Sequence, residues 1–284
     1  MKRFVLIVLT LLVACSGCAR QAPVTPSAAP SASPSAAVVV IGTTTDPTTK
    51  VLAELYAQAL GGKGQATRIV EVTDDTNVLV TKLMAGAVDL APAFAWTAGQ
   101  ALEVDSDDPT ALVPDLAKAL DGQVTVLQPS TVNRGWRYLA EAPGHTLQEL
   151  SARDVVLGPA AWVKAPDGPD GLAAVYGAKP KVETVDDPTA RAAKVRVGAI
   201  GVFDGTDPAG ADLQAVEDPL VMVASDPQVA LLRNELATDD TLLDVVQQLH
   251  GKLGNAEVMA IRTKAASVGL TQAVADWLKA NPLT

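Results

Sequence analysis

The sequence predicts an α/β protein of two lobes, built on mixed, mainly parallel sheets with helices on both faces. Short β-branched runs alternate with helical segments along most of the chain, a pattern typical of parallel strands joined by helices. Hydrophobic residues make up 48% of the chain, enough to bury a large core. From Asp226 onward the pattern is helical only. We therefore expect C-terminal helices that return to the first lobe.

The N-terminal residues predict export. Met1-Lys2-Arg3 precedes an apolar run from Phe4 to Ala14 that is too short to span a bilayer and stops at Cys15, as in secretory signal peptides. Residues 1–14 are the predicted signal, and Cys15 is the predicted lipid attachment site because Leu-Val-Ala-Cys resembles a bacterial lipobox. Acylation of Cys18 and a plain secretion signal stay open as alternatives. We expect an exported protein, lipid-anchored on the extracytoplasmic face of the cell membrane.

Residues 15–37 predict a lipidated N-terminus followed by a tether. The stretch from Ala19 to Ala36 is almost entirely proline, alanine and serine, which cannot bury a core and keeps the chain extended. Both cysteines of the chain lie in this region. The folded part, from Val38 onward, therefore has no disulfide and no thiol or zinc chemistry.

The charge balance is acidic. There are 32 acidic and 22 basic residues, a net charge of −10, and removal of Lys2 and Arg3 with the signal makes the charge more negative. No basic cluster interrupts this balance, so nucleic acid and anionic lipid surfaces are not expected partners. The acidity is typical of a solubilising surface and does not identify a ligand.

Strands are predicted where β-branched or continuous apolar runs lie between turn residues. In chain order they are Ala37 to Ile41, Ala66 to Val72, Val88 to Phe94, Val124 to Gln128, Val155 to Leu157, Val182 to Val185, Ala199 to Phe203 and Leu220 to Val223. The spacing between them leaves room for a helix in most connections, which favours parallel neighbours.

Helix starts are predicted at four of the Asp-Pro pairs in the sequence, with aspartate as the N-cap and proline in the first turn. They are Asp46-Pro47, Asp108-Pro109, Asp187-Pro188 and Asp226-Pro227. In the tail, apolar residues at helical spacing predict core packing rather than a binding stripe. They are Leu231, Leu232, Leu242, Leu243, Val246 and Leu249. Trp277 is predicted to anchor the last helix by packing.

Aromatic residues are scarce, at 4% of the chain, and seven of them fall between Phe94 and Phe203. Several follow the end of a predicted strand, the edge at which open α/β sheets bind ligands. Together they would form an aromatic cleft between the lobes, which suits a quaternary ammonium cation because such a cation has no hydrogen to donate. For any single ring, packing in the core is the alternative interpretation.

Several motifs, in order and spacing, resemble the substrate-binding lipoproteins of glycine betaine, choline and proline betaine ABC importers. They are Leu52 to Leu60 (LAELYAQAL), Leu83 to Pro92 (LMAGAVDLAP), Pro166 to Leu172 with Tyr176-Gly177, and Val197 to Asp204. The resemblance covers nearly all of the predicted mature chain.

The resemblance implies a two-lobed clamp of the type II periplasmic-binding-protein kind. Lobe 1 would comprise residues 38–127 and 221–284, and lobe 2 residues 128–220. It also implies that the protein binds an osmoprotectant such as glycine betaine and delivers it to the permease and ATPase subunits of an ABC importer. We expect a monomer that needs no cofactor and performs no chemical step.

Departures from the family pattern affect the polar side of the expected site. The family's first-loop lysine is replaced by Thr44, and its arginine before an Asp-Gly pair is replaced by Ala165, with Lys164 beside it. Arg134 or backbone amides could also hold a ligand carboxylate, and Asp204 ends a strand on the cleft side. The predicted ligand-binding set is Thr44, Thr45, Phe94, Trp96, Thr97, Trp136, Trp162, Lys164, Phe203 and Asp204.

Other function classes have weaker support in the sequence. His145 and His250 have no cysteine, serine or carboxylate partner at a recognisable catalytic spacing, and no metal-binding motif occurs. An exported enzyme of unknown type is the alternative from another class. The same fold binding a different solute, or acting as a sensor or adhesin without a transporter, also stays open.

Overall fold

Two five-stranded mixed sheets form the scaffold of the computed structural model, which describes residues 38–104, 110–120 and 122–284. The strands are β1 (Val39–Thr43), β2 (Thr67–Glu71), β3 (Leu90–Phe94), β4 (Val124–Val126), β5 (Trp136–Ala140), β6 (Asp154–Leu157), β7 (Lys181–Thr184), β8 (Ile200–Asp204), β9 (Gln214–Ala215) and β10 (Gln228–Arg233). The α-helices are α1 (Pro47–Gly62), α2 (Thr76–Met84), α3 (Ala95–Ala101), α4 (Leu112–Ala119), α5 (Pro169–Tyr176), α6 (Pro188–Val195), α7 (Asp240–Lys252), α8 (Asn255–Val268) and α9 (Leu270–Ala280).

The predicted signal, Cys15, the tether and the helix start at Asp108-Pro109 lie outside the described residues. Within the described ranges, no helix combines the length and apolar character needed to cross a membrane.

The first sheet has the strand order β2-β1-β3-β10-β4. β2, β1 and β3 are parallel, and β10 runs antiparallel between β3 and β4. Helix α1 and the tail helices α7 to α9 share one core with the buried strand residue Ile41, while α2 to α4 share a second core. Trp277 packs against the first of these cores, as predicted. The first lobe is thus closed by the end of the chain.

The second sheet has the order β7-β6-β8-β5-β9. β6 is parallel to β7 and β8, and β5 is antiparallel to β8 and β9. Its main core contains Tyr138, Val155 and Leu172. The sequence did not predict β5 or β9. The boundaries of the lobes at 127/128 and 220/221 remain predictions.

Two helices begin at an Asp-Pro pair, as predicted. The Asp46 carboxylate accepts hydrogen bonds from the backbone N–H groups of Thr48 and Thr49, each at 2.9 Å, at the start of α1. Asp187 accepts one from the backbone N–H of Ala190 at the start of α6. In both helices the carboxylate satisfies donors that have no partner within the helix.

The interpretation of the tail as helix only was wrong at its beginning. Residues 228–233, with Leu231 and Leu232, form β10, and a continuous apolar run of this length is compatible with either a strand or a helix. Asp226 caps no helix of its own. The predicted strand at 220–223 is instead a turn in which the Asp218 carboxylate accepts the backbone N–H groups of residues 222 and 223, so those donors are not free for a ladder.

Two crossing segments, between β4 and β5 and between β9 and β10, connect the two sheets. Asn133 in the first segment accepts a 3.0 Å hydrogen bond from the backbone N–H of Asp226 in the second. Asn255, at the start of α8, donates to the carbonyl of Asn133 and to that of Gly205. A Cβ at Gly205 would lie 2.3 Å from the Asn133 carbonyl oxygen, so only glycine fits this close backbone contact.

Candidate functional site

The candidate site lies where the carboxyl ends of strands from both sheets face the crossing segments. Thr44 and Thr45 follow β1, Phe94 ends β3, and Asp204 ends β8. Open α/β sheets place their ligands at this edge. Two cavities open here, and Arg134 from the first crossing segment lines both.

The first cavity has a volume of about 320 Å³ and is walled mainly by the first lobe. Its lining includes Thr44, Thr45, Asp46, Asp74, Phe94 and Thr97. The buried hydroxyl of Thr44 shares a 2.8 Å hydrogen bond with the hydroxyl of Thr49. The wall is therefore polar and already hydrogen-bonded on the threonine side.

The second cavity, of about 480 Å³, lies between the lobes. It has the size of a small-molecule site. Its lining includes Trp96, Trp136, Trp162, Asp167, Asp204 and Asp226. Three indole rings and three carboxylates thus line one space.

Arg134 is surrounded by carboxylates from both lobes and from the second crossing segment. Its Nη1 lies 3.6 Å from Asp46 Oδ2, its Nε 3.9 Å from Asp204 Oδ2, and its Nη2 3.6 Å from Asp226 Oδ2. One cation faces three anions, so the cluster carries a net negative charge when all three are ionised. Its field favours a cation in the neighbouring space.

The same guanidinium also contacts an aromatic ring. The Arg134 Cζ lies 4.5 Å from the centroid of Phe94, a cation–π distance. Its Nη2 donates a 2.5 Å hydrogen bond to the hydroxyl of Thr97. Arg134 therefore occupies, over Phe94, the type of position that a ligand cation would take on an aromatic ring.

Burial shifts the acidity of two members of the cluster. Desolvation raises the pKa of Asp204 to about 6, although hydrogen bonds from Thr206 and the charge of Arg134 act in the opposite direction. Desolvation also raises the pKa of Asp226, against the charge of Arg134 and the hydrogen bonds of Thr97 and Trp96. With a pKa of about 6, Asp204 is ionised at pH 7.5 and becomes neutral under mildly acidic conditions.

Asp226 positions Trp96. Its carboxylate accepts hydrogen bonds from the backbone N–H of Trp96 at 2.8 Å and from the hydroxyl of Thr97 at 2.7 Å. Helix α3 has Phe94 at its N-cap and no capping side chain of its own, so the cap comes from a residue far along the chain. The sequence prediction missed this role. The available signal was a helix start without a serine, threonine, asparagine or aspartate.

Two of the three indoles are stacked on each other. The rings of Trp136, on β5, and Trp162, in the short 3-10 helix Ala160–Lys164, have centroids 4.3 Å apart and planes 30° from parallel. Both are half-buried, as is Trp96 on the first lobe. The aromatic wall therefore has one side built from each lobe.

Two residues of the predicted set lie outside both cavity linings. Phe203 is fully buried in the second lobe, packed with Leu139 and Val195, and its ring lies 4.7 Å from the Arg191 guanidinium carbon. Lys164 is exposed and lines neither cavity. The other predicted residues are brought together: Thr44, Thr45 and Phe94 line the first cavity, Trp96, Trp136, Trp162 and Asp204 the second, and Thr97 both.

Comparison with protein families gave one match. The family model described as the substrate binding domain of the ABC-type glycine betaine transport system matches residues 37–280. No significant match was found among curated protein sequences.

Comparison with solved structures gave many matches at low identity. Apo YehZ from Escherichia coli is 18% identical with a TM-score of 0.72, and the match covers 88% of this chain and 100% of that one. A glycine betaine/carnitine/choline ABC transporter structure is 14% identical with a TM-score of 0.75, covering 85% and 97%. Lactococcal OpuAC, closed on glycine betaine, is 12% identical with a TM-score of 0.55, covering 86% and 96%. The predicted two-lobed α/β fold of type II binding proteins is confirmed.

Proposed function

Because the chain belongs to the family of substrate-binding domains of ABC-type glycine betaine transport systems, we propose that it binds a quaternary ammonium osmoprotectant between its lobes and delivers it to an ABC importer. The family consists of solute-binding domains rather than enzymes. Binding and release, without a chemical step, would then be the whole activity of this chain.

The observation that carries this proposal is the lining of the second cavity. Trp96, Trp136 and Trp162 share it with the carboxylates of Asp204 and Asp226. A quaternary ammonium group cannot donate hydrogen bonds, so it is held by ring quadrupoles, desolvation and nearby negative charge. Each well-placed ring contributes about 0.5 to 2 kcal/mol.

The other predicted site residues receive roles by position. Thr44, Thr45 and Thr97 would orient the polar end of the ligand, with Phe94 as an aromatic wall of the first cavity. Lys164 would need to move to reach the ligand. Phe203 would act indirectly, through the Arg191 guanidinium that lies between it and Trp162.

Delivery would follow closure of the lobes about the crossing segments. Hinge closure around a ligand brings surfaces of both lobes into one face, which the permease could distinguish from the open form. The ATPase subunit would act through the permease. In this proposal Cys15 carries the lipid anchor, on the extracytoplasmic face of the cell membrane.

The test is calorimetric titration of the purified protein with glycine betaine, choline, carnitine and proline betaine, followed by tryptophan fluorescence. We expect micromolar binding of at least one of them and a change in indole emission, since three indoles line the cavity. A matched control is 3,3-dimethylbutanol, the neutral isostere of choline, which should bind far more weakly. Failure of all four compounds to bind would reject the proposed ligand class.

Import is tested separately, in cells that carry the gene and in cells from which it is deleted. We expect uptake of the radiolabelled ligand to require this protein and a functional ATPase partner. A ligand that binds in the titration but enters deleted cells at the normal rate would argue for sensing instead of import.

A further inference from the structure

We propose that Arg134 is a tethered counter-cation that makes this site selective for ligands with a net positive charge, such as a trimethylammonium alcohol, over zwitterions that carry a carboxylate. This inference rests on the proposed function, because it concerns the ligand class of the same site. It reverses the simplest role for an arginine in such a cleft, which is to grip a ligand carboxylate.

Each nitrogen of the Arg134 guanidinium lies within 3.9 Å of a carboxylate oxygen, and Nη2 also makes a hydrogen bond. Its Nε faces Asp204, its Nη1 faces Asp46, and its Nη2 faces Asp226 and donates to the hydroxyl of Thr97. Its plane also lies over Phe94. A ligand carboxylate that approached the guanidinium would therefore lie beside three carboxylates of the protein and be repelled by their charge.

The charged residues that line the two cavities are unbalanced. They comprise five aspartates and one arginine, within the part of the chain that the structure describes: Asp46, Asp74, Asp167, Asp204, Asp226 and Arg134. No lysine lines either cavity. A carboxylate entering this space meets no cation that is free of a carboxylate, while the quaternary ammonium end meets excess negative charge.

Selectivity follows from the difference between the two ligand ends. Choline and glycine betaine share the trimethylammonium group that the indoles would bind, and differ in a hydroxyl against a carboxylate. Like charges brought together at a binding site are a strong source of discrimination. We expect choline to bind at least about tenfold more tightly than glycine betaine at pH 8.5.

The variant Arg134→Met distinguishes the two possible roles of the arginine, a counter-cation and a clamp for a ligand carboxylate. It keeps the length of the side chain and removes the charge, so the three carboxylates lose their internal partner. If Arg134 is a counter-cation, the variant binds choline more tightly than the unmodified protein by about threefold or more, because the ligand no longer competes with a resident cation. If Arg134 is a carboxylate clamp, the variant loses glycine betaine and leaves choline unchanged.

The experiment is titration of the unmodified protein, Arg134→Met and a matched control, Arg137→Met, with choline and glycine betaine at pH 8.5. High pH favours the ionised form of Asp204 and Asp226, whose pKa values are raised by burial. Arg137 is the neighbouring arginine on β5 and lines neither cavity, so its variant should match the unmodified protein. Circular dichroism confirms that each variant is folded.

Each outcome decides a different point. Choline preference together with tighter choline binding by Arg134→Met supports the inference. If the unmodified protein binds glycine betaine as tightly as choline or more tightly, the inference is overturned and the proposed function stands. This outcome is seen without any variant. If the unmodified protein prefers choline but Arg134→Met does not bind choline more tightly, the proposed role of Arg134 is overturned. Absence of binding by both compounds, and by carnitine and proline betaine, rejects the proposed function itself.

Discussion

Two arginines in the described part of the chain lie over aromatic rings, and their surroundings differ. Arg134 is 4.5 Å from the ring of Phe94, and Arg191 is 4.7 Å from Phe203 and 5.4 Å from Trp162. The side chain of Arg134 is 22% exposed and lines two cavities, whereas that of Arg191 is 3% exposed. The same pairing therefore occurs once at the cleft and once inside a lobe.

The partners of the buried arginine explain its role. Arg191 donates a 2.7 Å hydrogen bond to the carbonyl of Val185, lies 4.0 Å from the carboxylate of Asp207, and interacts with the charges of Asp186 and Asp187. Burial lowers its pKa, against the charge of that carboxylate. Arg191 thus supports Trp162 from within the second lobe. Both arginines are close to several aspartates, so what distinguishes Arg134 is the solvent-accessible space beside it.

The largest expected effect is on folding stability, in which variants of the two arginines should differ. Arg191→Ala should lower the free energy of unfolding by about 3 kcal/mol, because it removes a buried cation that packs on two rings and leaves a buried carbonyl without its donor. Arg134→Ala should cost less than half as much. Chemical denaturation measures both, with Arg196→Ala, from the exposed pair with Asp212, as the control. The comparison fails if Arg134→Ala is the more destabilising change.

The next effect concerns affinity rather than stability. Trp96→Ala should weaken quaternary ammonium binding by about 1 to 3 kcal/mol, since it removes the first lobe's share of the indole wall. Its melting temperature should stay close to that of the unmodified protein. Trp277→Ala is the matched control, because this indole packs in the core of the same lobe: it should lower the melting temperature and leave affinity unchanged. Unchanged affinity in Trp96→Ala would remove Trp96 from the site.

A smaller effect is expected from pH. Asp204 faces Arg134, Asp46 and the hydroxyl of Thr206, and its pKa is about 6. As pH falls from 7.5 to 5 the carboxylate becomes neutral, the cluster loses negative charge, and affinity for a cation should fall by about fivefold. Titration calorimetry across this range measures the effect.

Asp204→Asn should flatten most of this profile. Any remaining slope would come from Asp226 and Asp167, which line the same cavity and whose pKa values are also raised by burial. A rise in affinity on acidification would contradict the negative cluster as a source of cation binding. Because burial raises the pKa of Asp204 from 3.8 to about 6, its carboxylate lowers folding stability in full above that pH. This cost declines as pH falls through the range between the two values and is absent below the lower one.

The smallest effect is expected at Lys164. This side chain is exposed and lines neither cavity, so Lys164→Ala should change the affinity for choline or glycine betaine by less than about twofold. Isothermal titration calorimetry would detect a loss of affinity larger than twofold. A tenfold loss confined to glycine betaine would give Lys164 the carboxylate-binding role that the sequence predicts.

Much of the first lobe was predictable because its signals are local. The strands up to β3 contain short apolar or β-branched runs, and the start of α1 follows directly from Asp46-Pro47. Strand β10 was not predictable from the sequence. Its pairing with β3 and β4 joins residues that are far apart in the chain, and a continuous apolar run has no periodicity that distinguishes a strand from a helix. The cap that Asp226 provides for α3 is non-local in the same way.

The candidate site was predictable by residue type more than by role. Strand ends identified Trp96 and Asp204, but they could not separate Asp204 from its neighbour Phe203. Successive side chains of a strand point to opposite faces, so on β8 the carboxylate reaches the cavity and the ring enters the core. Counting the alternation back from a polar strand end would have separated them.

The position of the charge cluster at the crossing segments has a kinetic consequence. Arg134 and Asp226 both belong to these segments, and groups near the axis of a rotation move least when the lobes turn. These two charges balance each other, and the excess negative charge comes from Asp46 and Asp204, one in each lobe. In the proposed closure this charge would attract a cation at long range before the lobes meet, whereas the indoles of the two lobes would converge on the ligand only afterwards. We expect ionic strength to slow the association rate of a cationic ligand, and loss of an indole to shorten its residence time.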